Sequence, residues 1–404
     1  MAGDWTATKW GEIATLAYGK ALSGYSKAYG SARVYGTNGP IGWHDEARWD
    51  GPGVIVGRKG AYRGVHYTTG PYWVIDTAYS LRPKVDLSLR WAYYQLKYLD
   101  VNNIDDGSPI PSTTRDAFYA QDLLLPPRED QDRIAEVLSS LDDKVELNLC
   151  TAATLEKMAQ ALFKSWFVDF DPVSAKAEGH PTGLPDATTA LFPERFGEDG
   201  LPEGWRLGSV ADIIEVNPSL SLKAGTPATY VDMASLPTSG PSVSGFISRE
   251  TSSGSRFQQG DTLVARITPC LENGKTALVD FLDDQEVGWG STEFIVLRAR
   301  APMSHVWPYL LARDDAFRAH LIAAMTGSSG RQRVPHSAVA AWEMALPPAR
   351  VLAAFAAEVE PLFERISALN AESTTLRALR DTLLPKLISG ELRIKDVGAT
   401  GVAA

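Results

Sequence analysis

The run LPPREDQDRIAEVLSSLDDKVELNLCTAATLEKMAQALFKSW, residues 125–166, decides how the chain is built. Two prolines stand at its entrance, where a missing N–H costs a helix nothing. Behind them apolar or small residues recur at Ile134, Leu138, Leu141, Val145, Ala152, Leu155, Ala159, Leu162 and Trp166, a 4-3-4-3 spacing interrupted only by Asn148. That spacing is the seam of a coiled coil. Adding 221 to each position gives Phe355, Val359, Leu362, Ile366, Leu369, Ser373, Leu376, Arg380, Leu383 and Leu387, in the same phase and again behind a Leu-Pro-Pro at 346–348. The chain therefore carries two copies of one long helix, expected over 128–170 and 349–390. Each, at about 38 residues and roughly 1.5 Å per residue, extends about 57 Å. One small domain does not cover such a length, and the seam that matches it is its own copy. The expectation is two antiparallel helices forming a coiled-coil spacer, the halves related by a pseudo-twofold. Pro361 should kink the second helix, and Pro385 should end it.

The duplication continues upstream of each helix. Trp5, Gly11, Ile13 and Ala14 in WTATKWGEIA match Trp205, Gly208, Val210 and Ala211 in WRLGSVA. Gly53-Val-Ile-Val-Gly-Arg58 loosely matches Gly260-Asp-Thr-Leu-Val-Ala-Arg266, an apolar strand that ends in an arginine. Thr77 and Thr292 each precede a further apolar strand, and Ile110-Pro111 pairs with Val334-Pro335 ahead of the two Leu-Pro-Pro junctions. The fold class is thus α+β: one globular domain over 1–127, a second over 205–348, a helix after each, and a tail over 391–404. Residues 171–204 are rich in Pro, Gly, Asp and Thr without periodicity, and they read as a linker.

With 404 residues, 44% hydrophobic and 22% charged, the composition is that of a globular protein large enough for two cores. No apolar run approaches the roughly 18 residues of a membrane span, which makes the cytoplasm the default location. Cys150 and Cys270 lie in no metal-binding pattern, and both are expected to be packing residues. The net charge of −10 looks wrong for a nucleic-acid binder, but it is unevenly spread. Residues 1–125 hold 13 Lys/Arg against 12 Asp/Glu and residues 201–348 hold 12 against 15, whereas 126–200 hold 7 against 15. Most of the excess negative charge therefore falls on the first helix and the segment after it, and the charge balance by itself neither supports nor excludes DNA.

Several motifs, in this order and duplicated, make the chain resemble the specificity subunit of type I restriction-modification systems. They are the two Gly-x-Ile/Val-Ala openings, the two Leu-Pro-Pro junctions, ALFKSWFVDFDP at 161–172, GSSGRQRVP at 327–335 and LLPKLISGE at 383–391. The resemblance runs from Trp5 to about Ile394. It implies that each globular domain reads one half of a bipartite DNA target. It also implies that the paired helices act as a ruler and as a dock for two methyltransferase subunits and for motor-nuclease restriction subunits. S-adenosylmethionine, ATP and Mg would then belong to those partners, with no cofactor in this chain.

The residues themselves offer little chemistry. There is no Asn/Asp-Pro-Pro-Tyr/Phe motif and no Gly-rich cofactor loop. Gly274-Lys275-Thr276 lacks the glycine a phosphate-binding loop needs five residues earlier, where Pro269 stands. Asp142-Asp143-Lys144 reads as a solvated charge run on the first helix. The six histidines have neither metal-ligand nor triad spacing. A standalone restriction-modification enzyme is disfavoured on these grounds, and the remaining alternative is a protein-interaction scaffold that does not read DNA.

Base readout needs side chains with paired donors or acceptors. In the first domain Arg58, Lys59, Tyr62 and Arg63 are set between glycines in Gly57–Gly64, with Thr37 and Asn38 in a neighbouring Gly-flanked turn. In the second, Arg266 and Thr268 precede a loop bearing Asn273 and Lys275, and Arg331, Gln332 and Arg333 follow Gly330. These are the candidate DNA contacts, a solvated hairpin or polar turn being the plain alternative at each.

Overall fold

The computed structural model describes residues 5–394, apart from 26–28, 105–110 and 329. The first domain opens with β1 (Thr6–Lys9), one helical turn α1 (Trp10–Ile13) and β2 (Ala14–Tyr18). There follow β3 (Ala32–Gly36), β4 (Gly39–His44), β5 (Gly53–Gly57), β6 (Val65–Thr68), β7 (Tyr72–Val74) and β8 (Ala78–Pro83). Helix α2 (Leu89–Leu99), the short α3 (Arg115–Tyr119) and β9 (Asp122–Leu125) complete it. One antiparallel sheet has the order β2-β8-β5-β6, and a smaller one the order β4-β3-β7, with β3 and β7 parallel. β5 is buried along its whole length, as its Val-Ile-Val core befits. β1 pairs with β9, placing Thr6 opposite Leu125 and closing the domain just before the helix α4 (Arg128–Phe167).

Two short helices, α5 (Asp171–Ala177) and α6 (Asp186–Thr189), lead to the second domain. It opens with β10 (Arg206–Ser209), α7 (Val210–Ile213), β11 (Ile214–Val216), β12 (Pro227–Val231), β13 (Ile247–Glu250), β14 (Ser255–Gln258) and β15 (Thr262–Ala265). It continues with β16 (Thr276–Leu278), β17 (Val287–Gly290), β18 (Phe294–Ala299), α8 (Trp307–Arg313), α9 (Asp315–Ala323), α10 (His336–Ala340) and β19 (Glu343–Leu346). Its sheets run β11-β18-β15-β16 and β13-β12-β17-β14, with β12 and β17 parallel. β10 pairs with β19, Arg206 opposite Leu346, again just before a helix, α11 (Ala349–Ser389).

The two domains repeat one another strand by strand. Ala14 lies opposite Pro83 as Ile214 lies opposite Ala299, and Gly57 opposite Ala78 as Ala265 lies opposite Phe294. Trp91 of α2 and Trp307 of α8, both fully buried, take equivalent places beneath the larger sheets.

By its contacts the chain divides into two units, 1–146 with 374–404 and 147–373, and the division cuts both long helices. In the first unit Ile134 and Leu138 of α4 share a core with Leu387 and Ile388 of α11 and with Trp10, Trp91 and Phe118 of the domain. In the second, Phe163, Trp166 and Phe167 of α4 gather around Phe355 of α11, with Trp307 and Trp205 of the domain against them. Asn148 meets Glu372 while Phe163 meets Phe355, so residue numbers rise on one helix as they fall on the other and the pair is antiparallel. All the seam positions from Ile134 to Leu387 are buried or half-buried. The seam is not dry throughout: Asn148, 1% exposed, donates from Nδ2 to Glu372 at 2.9 Å, and the buried Ser373 hydroxyl donates to the Leu369 carbonyl.

Several expectations need correction. Helix α11 continues through Pro385 to Ser389, because burial of Leu387 and Ile388 offsets the one hydrogen bond that proline removes. Gly390, at φ 75°, ends it. Residues 171–204 are no free linker: Val173 and Phe192 sit in the core of the second unit, and Lys176 donates to the Phe192 carbonyl at 2.7 Å. Asp142 and Asp143 are not merely solvated, for Asp142 accepts from Tyr94 and Arg380, and Asp143 from Arg90. Cys150 is exposed on α4, while Cys270 is half-buried. The match of Ile110-Pro111 with Val334-Pro335 is slipped by three residues. Ile110 itself lies outside the described residues, but the Gly60 N–H donates to Pro111 as the Thr268 N–H donates to Gln332, so Pro111 is the counterpart of Gln332. The tail 391–404 is described only to Ile394.

Candidate nucleic-acid interface

Arg58 follows the end of β5 and Arg266 the end of β15. The Arg58 N–H donates to the Thr77 carbonyl at 2.9 Å, and its own carbonyl accepts from the Thr113 N–H at 2.9 Å. The Arg266 N–H donates to the Glu293 carbonyl at 3.0 Å, and its carbonyl accepts from the Val334 N–H at 2.9 Å. The two arginines thus hold the same position in the two domains. In each, the backbone after the arginine bridges a strand-like segment entering the next short helix: Lys59 faces Ser112 ahead of α3, and Ile267 faces Arg333 ahead of α10.

In the first domain this brings two sequence candidates together. The Gly64 N–H donates to the Thr37 carbonyl at 2.8 Å and the Gly57 N–H to the Gly64 carbonyl at 2.8 Å, so the 35–39 turn abuts the 57–64 loop. Glycine is required at 57, where a Cβ would stand 2.5 Å from the Thr37 oxygen. Tyr62, 77% exposed, and Asn38 and Lys59 face solvent. Arg58 is half-buried; one of its N–H groups donates to the Asp76 carbonyl at 3.1 Å, and its guanidinium lies 4.9 Å from the Tyr18 ring centre. Thr37 contributes backbone only, since its hydroxyl oxygen is buried.

Arg63 is not a DNA contact. It is 2% exposed, and its two terminal nitrogens donate to the Ile104 carbonyl, the Thr113 hydroxyl and the Asn102 carbonyl at 2.8–2.9 Å. A guanidinium spent in this way ties the segment after α2 to the segment before α3 and reaches no phosphate.

In the second domain the backbone brings Arg266, Thr268, Gln332 and Arg333 together, but two of the candidate cations are engaged. Arg333 forms a forked pair with Glu293 at 2.6–2.9 Å, which holds its pKa above the usual guanidinium range. Lys275 donates to the Met233 carbonyl at 2.6 Å and so braces a loop. The Thr268 hydroxyl faces the Met325 sulfur at 3.9 Å. Arg331 and Asn273 are exposed, Gln332 is half-buried, and the half-buried Arg266 has no side-chain partner among the described residues.

The sequence reading passed over other cations that the fold sets on aromatic rings. Arg115, first residue of α3, lies 4.6 Å from the Tyr18 ring centre, on the same ring as Arg58. Arg33 stacks on Trp43, Arg48 on Trp49, and Arg249 on Tyr230. Only the run Ser112-Thr-Thr-Arg115, hydroxyls followed by a cation, signals any of them along the chain. Among the described residues no cluster of His, Cys, Asp or Glu is arranged to hold a metal, and no helix is long and apolar enough to cross a membrane.

The family described as "Type I restriction modification DNA specificity domain" matches residues 2–157. The specificity subunit of the type I restriction enzyme HindI of Haemophilus influenzae is 26% identical over 334 residues, 70% of this chain and 71% of that protein. That of the MjaIX enzyme of Methanocaldococcus jannaschii is 24% identical, covering 78% of this chain and 72% of its own. A shorter match, 31% identical over 144 residues, is to the EcoAI specificity subunit of Escherichia coli, 24% of whose length it covers. In fold, the chain is similar to the crystal structure of the S subunit of a type I restriction-modification system from M. genitalium, with a TM-score of 0.58 at 15% identity over 95% of this chain and 96% of that one. With two copies of one domain, each leading into a long helix, the chain is similar over most of its length to the specificity subunits of type I restriction-modification systems.

Proposed function

We infer that this chain gives a type I restriction-modification complex its DNA address, as the non-catalytic specificity subunit, each domain reading one half of a bipartite asymmetric target. The equivalence of Arg58 and Arg266 carries the reading. Two domains of one chain each hold an arginine by the same pair of backbone bonds at the same strand end, while the side chains around it differ. A common anchor with dissimilar surroundings suits a target with two unlike halves, since phosphate contacts position a domain and base contacts distinguish its sequence.

The chemistry then belongs to partners. Two methyltransferase subunits would use S-adenosylmethionine to methylate adenine N6, and restriction subunits would use ATP and Mg to translocate and cut. Exposed apolar residues on α4, among them Leu147, Leu149 and Met158, offer surface for docking such subunits. A cytoplasmic location, with the DNA, completes the proposal. Co-expression with a cognate methyltransferase subunit, followed by mapping of methylated adenines, tests it. A bipartite motif with a fixed gap is the expected result; methylation without a motif, or with one uninterrupted motif, contradicts it.

A further inference from the structure

We propose that Tyr18, Arg58, Lys59 and Arg115 form a clamp for a backbone phosphodiester of duplex DNA, on the first domain alone. The proposal rests on the reading of the chain as a DNA-recognition subunit and says which chemistry one part of the surface performs.

The four residues come from three places: the end of β2, the loop after β5 and the start of α3. They line an open cavity of 210 Å³ together with Tyr79, Ser112, Thr113, Thr114 and Asp116. The guanidinium carbons of Arg115 and Arg58 lie 4.6 and 4.9 Å from the centre of the single Tyr18 ring, and the Tyr79 ring stands 5.2 Å from it. The electron-rich face of Tyr18 holds the two cations near each other. None of Arg58, Lys59 and Arg115 pairs with a carboxylate among the described residues, unlike Arg333 in the other domain. Three positive charges thus converge on one cavity against the single carboxylate, Asp116, in its lining, an excess of positive charge that an anion relieves.

The anion is a phosphate and not a base edge. Tyr18 is 43% exposed, but its ring already has two guanidinium groups and the Tyr79 ring against it. Two guanidinium forks and a flexible ammonium match phosphate oxygens. The Thr114 hydroxyl accepts from the Ala117 N–H at 3.3 Å, which leaves its own hydrogen for an outside acceptor. The second domain lacks the set: Ile267 stands where Lys59 does, Ile295 where Tyr79 does, and His336 where Arg115 does. The clamp therefore anchors one half of the target more firmly than the other, without specifying it.

The test uses the assembled methyltransferase complex and duplex DNA over a series of salt concentrations. Arg115→Ala should weaken binding to cognate and non-cognate duplexes by the same factor, lower the slope of log affinity against log salt by about one, and leave the methylated motif unchanged. Arg115→Lys, which keeps the charge on an exposed side chain, should restore most of the slope, and His336→Ala should leave it as it was. An unchanged slope in Arg115→Ala overturns the clamp, as does a loss confined to the cognate duplex with an altered motif, which would make Arg115 a base reader. If the unmodified complex binds no duplex at all, the DNA-recognition reading itself falls, a result distinct from a silent substitution in a complex that binds.

Discussion

Arg380 of α11 donates to Asp142 of α4 at 2.5 Å, although 238 residues separate them in sequence. Both side chains are about a quarter exposed, and Asp142 also accepts from the Tyr94 hydroxyl at 2.8 Å, so one carboxylate joins both helices to the first domain. Burial, reinforced by that bond, pushes the Tyr94 hydroxyl pKa far up, and it stays protonated as a donor at any working pH. An ion pair this shielded lies between the surface and buried cases. A double-mutant cycle of Asp142→Asn and Arg380→Gln should give a coupling of about 1–2 kcal/mol, read from denaturant unfolding. A coupling near zero would mean that the packing of Leu138 and Leu387 alone holds the helices together there.

Arg63 should behave as a stability residue. Arg63→Ala removes three hydrogen bonds from a guanidinium, two of them buried, and takes the donor from the Ile104 and Asn102 carbonyls. We expect a loss of about 2–4 kcal/mol in the first unit, seen in unfolding or hydrogen exchange. The salt slope of DNA binding, measured where the variant is folded, should not change. A normal stability with a lowered slope would return Arg63 to the interface.

In the second unit the buried Tyr309 hydroxyl donates to Glu156 of α4 at 2.5 Å and accepts from Arg313 at 2.9 Å, while Arg313 donates to four backbone carbonyls. Tyr309→Phe keeps the ring and deletes the link, at a cost of about 1–3 kcal/mol. Thermal unfolding checks the loss; an unaffected midpoint would show that the hydroxyl contributes nothing between helix and domain.

His66 sets a pH dependence. Burial, with help from the nearby Lys97 charge, lowers its pKa from 6.5. The unfolded imidazole takes up a proton at higher pH than the folded one, so unfolding binds a proton between the two values. The stability that neutral His66 confers is full above about 6.5 and is lost as pH falls through the lower, folded value. An NMR titration of the ring should show a midpoint below 6.5; one at or above 6.5 would reverse the sign.

How much of this was legible along the chain follows from which spacings the fold conserves. The helices were legible because a heptad seam keeps its phase, and Ile134 and Phe355 are buried in corresponding places. The strands were legible only in part. The offset between equivalent residues grows from 200 at Ala14 and Ile214 to 221 at Thr113 and Val334, as loops of unequal length intervene. A match by proline therefore slipped at Pro111, while Arg58 and Arg266, each tied to a strand end, were found correctly. The cations defeated the reading for another reason. Arg63 and Lys59 share one Gly-rich loop and differ only in which way the backbone turns them, and that is decided by Asn102 and Thr113, far along the chain. Tyr18 and Arg115 were missed because they stand 97 positions apart, and the pairing of β2 with β8 and of Thr113 with Arg58 brings them to one cavity. The segment 171–204 lacks periodicity because it packs through single residues such as Phe192, not through a repeating face.

The central claim is that two copies of one domain each read their own part of the target. Exchange of residues 1–125 for the corresponding domain of a relative with a known motif, followed by mapping of methylated adenines in cells, tests it most directly. One half of the motif should change to that of the donor while the other half stays as it was. A change in both halves, or in neither, would contradict independent reading by the two domains.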